Sequence, residues 1–138
     1  MKLKNIAFTV DTLEQAENII IENRNFNTKP IIHFKSYLIE GFGSDFVLTF
    51  QNLLITKFGK SSFKLYVDCG FNNGLSINMA SKKIEYIKLR GSSIILSKID
   101  NIACKNRVLL NPSFNVVDCR NRKNISLKLK KLYSEDKK

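Results

Sequence analysis

Asp68 ends a strand-like run, Phe63-Lys64-Leu65-Tyr66-Val67, and is followed at once by Cys69 and Gly70. A carboxylate at such a strand end can act as acid or base, metal ligand or switch. It can equally cap the next helix or hydrogen-bond the turn. Further along, Arg90 and Gly91-Ser92-Ser93 lie between a second strand-like run, Ile84 to Leu89, and a helical stripe. Free N–H groups and hydroxyls at a turn of that kind can hold a phosphate or carboxylate against the helix dipole, and Arg90 could add charge. The same residues also serve as a turn glycine and a serine N-cap. Asp68, Gly70, Arg90, Gly91, Ser92 and Ser93 form the candidate ligand-binding set, and Asp68 is the one candidate catalytic residue.

The other reactive side chains form no complete catalytic set. His33, the single histidine, falls inside the apolar run Ile31-Ile32-His33-Phe34 and reads as a packed core residue. Cys69, Cys104 and Cys119 are spaced too widely for a closed zinc site and read as reduced, mostly buried thiols; no metal and no cofactor are expected. Lys35 and Lys88 sit near strand ends, where Schiff-base aldolases place their lysine. Lys88 shares a strand face with Tyr86 and Arg90, however, which reads as an edge or solvated strand. Neither GxGxxG nor GxxxxGK[ST] occurs, so the common nucleotide-binding loops are missing.

The elements that must position these residues alternate between two hydrophobic periods. Strands are expected near residues 5–10, 31–35, 63–68, 84–89 and 107–110, with Val116-Val117 as a short extra one. A helix follows Asp11-Thr12-Leu13-Glu14, whose Asp and Glu are spaced like a capping box, and stops near Asn25. Glu40-Gly41-Phe42-Gly43 reads as a flexible loop, after which Ser44 or Asp45 can cap a helix carrying Phe46, Val47, Phe50, Leu53, Leu54 and Phe58. Gly59 ends that helix. Asn72 or Asn73 caps a short helix, Ser92 or Ser93 caps the next, and 122–133 fits a helix better than a strand.

Strand–helix alternation five times over implies α/β architecture: a mainly parallel sheet of about five strands, with helices on its faces. Such a chain is either flavodoxin-like or a partial (β/α) barrel. Residues 1–138 suit one domain with a basic C-terminal segment, 120–138. In either architecture ligands bind at the carboxyl ends of the strands, which here are Asp11, Lys35-Ser36, Asp68-Cys69-Gly70, Arg90 to Ser93 and Asn111-Pro112.

The formal net charge is +11, from 23 basic and 12 acidic residues, and points toward a polyanionic partner. Composition supplies another cause. Lys, Ile and Asn number 18, 16 and 15, against 5 Arg, a skew that AT-rich codons produce. Arg is the residue suited to bidentate phosphate and base contacts, and it is scarce. The segment 120–138 carries +6 of the charge but has only Tyr133 for stacking, so RNA binding stays an alternative reading. No apolar run nears the roughly 18 residues of a membrane span. The stretch after Lys2 and Lys4 is too short for a signal peptide, and a cytoplasmic location without membrane contact is expected.

Val67-Asp68-Cys69-Gly70, Gly74, and Ile87-Lys88-Leu89-Arg90-Gly91 leading by a helix to Val108-Leu109-Leu110 carry a resemblance. Over residues 30–118 the chain resembles a family of short uncharacterised α-proteobacterial α/β proteins, distantly similar to phosphate-binding (β/α) barrel segments. The resemblance implies a fold and no activity. Three functions remain open. The first is a non-catalytic protein binding a small, phosphate-like anion, a protein partner or a second copy of itself at the sheet's carboxyl edge. The second is an aldolase- or isomerase-like enzyme, or a remnant of one, using Asp68. The third is RNA binding by the basic segment.

Overall fold

The computed structural model describes residues 6–26, 28–120 and 125–136. The elements are β1 (Ile6–Thr9), α1 (Leu13–Arg24), β2 (Ile31–Phe34), α2 (Ser36–Phe42) and α3 (Ser44–Phe58). After a 3-10 turn at Lys60–Ser62 come β3 (Lys64–Asp68), α4 (Asn73–Ser81), β4 (Tyr86–Lys88), α5 (Ser93–Lys105), β5 (Leu109–Leu110), β6 (Asn115–Asp118) and α6 (Ile125–Asp136).

All pairings are parallel and the order is β5-β4-β3-β2-β1-β6. Each of β1 to β5 lies beside its predecessor. A flavodoxin-like sheet would reverse direction part-way, so the order is that of a (β/α) barrel segment. The sheet has six strands, because Val116-Val117 belongs to a full strand on the free side of β1.

Strand parity sorts the side chains. Phe8, Val10, Ile32, Phe34, Leu65, Val67, Cys69, Ile87 and Leu89 share one core with Ile19 and Ile20 of α1, Leu38 of α2, Phe50 and Leu54 of α3, Met79 of α4, Ile99 of α5 and Leu129 of α6. The helices thus cover one face. On the other face Ala7, Ile31 and Tyr66 form a second cluster with Tyr86 and Phe114.

That second face is the inside of a curl. Leu110 and Asn115 are five residues apart, at most about 18 Å of chain. The pairings put Asn115 four residues below the level of Leu110, about 13 Å along the strands. About 12 Å remains sideways, whereas a flat six-stranded sheet would separate its edges by about 24 Å. The edges β5 and β6 must therefore come round toward each other. Phe114, at the end of that link, meets Tyr66 and Tyr86 edge-on at centroid distances of 5.5 and 4.7 Å and fills the interior.

Local chemistry sets several ends. Asn72 Oδ1 accepts from Leu75 N–H at 2.9 Å, and Ser92 Oγ accepts from Ile95 N–H at 3.3 Å, as the sequence indicates. Gly59, at φ +90°, closes α3. Two expectations are corrected. The capping box of α1 is Thr12 with Gln15, rather than Asp11 with Glu14: Thr12 Oγ1 accepts from Gln15 N–H, and Gln15 Oε1 accepts from the Thr12 and Asp11 N–H groups. Glu40-Gly41-Phe42 is not a loop but the end of α2, because Leu38 and Ile39 have core to bury against despite Gly41. Gly43, at φ +86°, makes the elbow into α3, whose start has no side-chain cap from Ser44 or Asp45.

Candidate functional site at the barrel mouth

Register brings two rows of side chains onto the inner face. Thr9 pairs with Asp118 on one side and His33 on the other. His33 pairs with Tyr66, Tyr66 with Tyr86, and Tyr86 with Leu109. One step toward the carboxyl ends, Asp68 pairs with Lys88. Lys35 follows the Phe34–Val67 pair and so flanks Asp68 from the other side. The floor of the mouth is thus His33 and Tyr66, and its walls carry Lys35, Asp68 and Lys88.

Thr9, His33, Tyr66 and Asp68 are all buried. Thr9 Oγ1 and His33 Nδ1 share a 2.8 Å hydrogen bond, and the imidazole packs against the Tyr66 ring at 4.7 Å. The other imidazole nitrogen has no hydrogen-bond partner among the described residues, yet no buried polar atom of those residues is left unpaired. That nitrogen therefore reaches the mouth. Burial lowers the His33 pKa to about 4. Asp68 opposes the shift, and Lys35, Lys88 and Arg120 add to it, so the ring is neutral near pH 7. Burial, with Asp68 beside it, likewise raises the Tyr66 phenol.

A second network crosses the rim between β6, β1 and α2. Arg120 forks onto Asp118 through Nε and an amino group, and its other amino nitrogen donates to Tyr37 Oη at 3.0 Å. Tyr37 Oη donates in turn to Asp11 Oδ1 at 2.6 Å. Hydrogen bonds from Arg120 hold the Asp118 carboxyl well below the usual carboxylate range.

The residues singled out in the sequence lie as follows. Asp68 Oδ1 accepts from Gly70 N–H at 2.9 Å, the turn-forming role. Gly70, at φ +59°, occupies the left-handed region, and its carbonyl accepts from Arg90 N–H at 2.7 Å. That bond sets the ends of β3 and β4 side by side. The Arg90 guanidinium lies 6.0 Å from the centroid of the Phe71 ring. Gly91, Ser92 and Ser93 are exposed at the start of α5, with the Ser92 hydroxyl engaged as the cap. A cavity of about 400 Å³ opens elsewhere, between the α2–α3 elbow and α4. Ser36, Glu40, Ser44, Cys69, Asn72 and Asn78 line it together with Ile39 and Leu75; Asp68, Arg90 and Gly91–Ser93 do not.

One further reading changes, and two others gain detail. Lys88 is on an interior strand, half-buried beside Asp68, rather than on an edge or solvated strand. His33 is buried as expected of a core residue, but it points away from the helix-facing core. Its spacing from Lys35 was the signal available: the two share strand parity. Cys69 and Cys119 are buried and Cys104 is exposed, and burial pushes the Cys69 thiol up to about 12, out of nucleophilic range. Among the described residues, no three His, Cys, Asp or Glu side chains come together in a way that could hold a metal ion, and no helix is long and apolar enough to cross a membrane. Part of the basic segment, residues 121–124 and 137–138, lies outside the described residues.

No protein-family model matches the chain, and no curated protein is significantly similar to it. Among solved structures, it is similar to a putative fructose-1,6-biphosphate aldolase from Coccidioides immitis, with 14% identity and a TM-score of 0.59. The match covers 77% of this chain and 44% of that one, so the chain spans less than half the length of the structure it matches. At this identity the likeness concerns the fold alone: a parallel α/β sheet arranged as a segment of a (β/α) barrel.

Proposed function

We propose that the protein binds a small anionic, phosphate-like ligand at the carboxyl ends of β3 and β4, between Asp68 and Gly91-Ser92-Ser93. The observation that carries this reading is the pairing of those two ends. Asp68 stands beside Lys88, and the Gly70–Arg90 hydrogen bond brings Arg90 and the start of α5 to the same edge. Lys88 and Arg90 supply positive charge, and the first N–H groups of α5 face outward past the Ser92 cap. Asp68 keeps one carboxylate oxygen without a hydrogen-bond partner among the described residues, available to a ligand hydroxyl.

Inorganic phosphate should therefore raise the melting temperature above that in chloride at equal ionic strength. Arg90→Ala and Ser93→Ala should lose most of the rise, and Asp68→Asn should keep or enlarge it. Equal shifts in every variant would indicate general salting-out and reject the site.

A second reading, an aldolase- or isomerase-like enzyme or enzyme remnant, is supported by the placing of Asp68 between two lysines above a neutral His33. The matched structure's name also points to a phosphorylated sugar. On this reading Asp68 removes a proton next to a carbonyl. Deuterium uptake into dihydroxyacetone phosphate, followed by NMR, should be measurable with the native protein and absent with Asp68→Asn. Equal uptake in both would remove Asp68 from that role.

A further inference from the structure

The rim directly above the proposed anion site carries an aromatic side chain that the fold does not use. Phe71 follows Gly70 on the loop between β3 and α4, and it is 74% exposed. One face of its ring is approached by the Arg90 guanidinium at 6.0 Å. A phenyl group held in water beside a cation has no part in the core. With the cation over one face, the exposed ring offers its other face as a charge-backed surface of the kind on which bases stack. Two residues before Arg90 along β4 and its extension, about 7 Å below, stands Lys88, with Asp68 paired beside it. That is comparable with the distance between the base and the phosphate of a nucleoside 5′-monophosphate. Ile94, on the first turn of α5, adds a second exposed apolar side chain at the same pair of strand ends.

We propose that the ligand of this site is a mononucleotide, with its base stacked on the open face of Phe71, backed by Arg90, and its phosphate held by Lys88. The inference rests on the anion-binding reading and adds the aromatic half of the ligand to it. The usual glycine-rich phosphate loops are not needed for this mode of binding. A lysine supplies the charge and an exposed ring supplies the stacking surface.

Isothermal titration calorimetry with AMP, ribose 5-phosphate and inorganic phosphate separates the two parts. AMP is expected to bind roughly tenfold or more tightly than ribose 5-phosphate. Phe71→Ala should erase that difference while leaving ribose 5-phosphate and phosphate unchanged, and Phe71→Tyr should restore it. Because Phe71 is exposed, its truncation leaves the core intact. Equal affinity for AMP and ribose 5-phosphate, or AMP binding indifferent to Phe71→Ala, overturns the mononucleotide inference and leaves the anion site standing. If none of the three ligands binds, both readings fall together.

Discussion

Acidification from pH 7 to pH 4 should cost the protein roughly 3 kcal/mol of stability through His33 alone. The ring is 5% exposed, hydrogen-bonded to Thr9 and packed on Tyr66. Its pKa falls from 6.5 to about 4, chiefly through burial. The unfolded chain takes up a proton near pH 6.5, and the folded chain resists until about pH 4. Between those values the unfolded state binds more protons, so stability falls as pH falls. Above pH 6.5 neither state is protonated and the full stability is present. Each pKa unit is worth about 1.4 kcal/mol, which sets the size. The charges facing the ring are Asp68 on β3, Lys35 at the end of β2, Lys88 on β4 and Arg120 after β6. Asp118, held low by Arg120, adds its own loss as pH falls below its ordinary value near 3.8, so its window begins about where that of His33 ends. Urea unfolding across a pH series should show the slope in the native chain and a flat response from pH 6.5 to 4 in His33→Phe. An unchanged slope in that variant would assign the effect to another group.

Truncating Phe50 to Ala should cost about 3–5 kcal/mol. Phe50 is buried on α3, edge-on to Phe34 of β2 at 4.7 Å and 5.6 Å from Phe46 one turn earlier. Removing the ring deletes its apolar burial and leaves a space that the rigid β2 strand cannot close. Phe34 would also lose its closer aromatic partner on α3. The urea midpoint should fall with an unchanged m-value, because the surface exposed on unfolding barely changes. A loss below about 1 kcal/mol would mean that α3 presents a different face to the sheet.

The two effects come from opposite sides of one sheet. Phe50 reports on the helix-facing core, which supplies most of the apolar burial. His33 reports on the small enclosed interior, where polar side chains are held near the strand ends at the cost of a desolvated imidazole.

What the sequence determined by itself was local. Alternation between periods of two and 3.6 residues located every strand and all the helices except α2, because burial of one face imposes those periods on the chain. Asn72 or Asn73, Ser92 or Ser93, and Gly59 marked three helix ends, and the first of each pair is the cap observed, because a cap needs only neighbours a few residues away. The stripe through Phe50 and Leu54 identified the buried face of α3 for the same reason.

Contacts distant in the chain were decided only in three dimensions. Local patterning says that Lys88 shares a face with Tyr86, but not that β4 lies inside the sheet with Asp68 opposite. It puts His33 in a strand, but not on the face turned away from the helices, because Ile31-Ile32-His33-Phe34 is apolar on both sides. Five strand–helix units suit an open sheet or a barrel segment equally well. The choice came from β6 pairing with β1 after a short link from β5, a contact between residues more than a hundred positions apart. Side chains on separate strands become neighbours only through strand order and register. That is why the meeting of Asp68 and Arg90 at one sheet edge was legible from the strand–helix alternation, while the placing of Lys88 and His33 beside Asp68 was not.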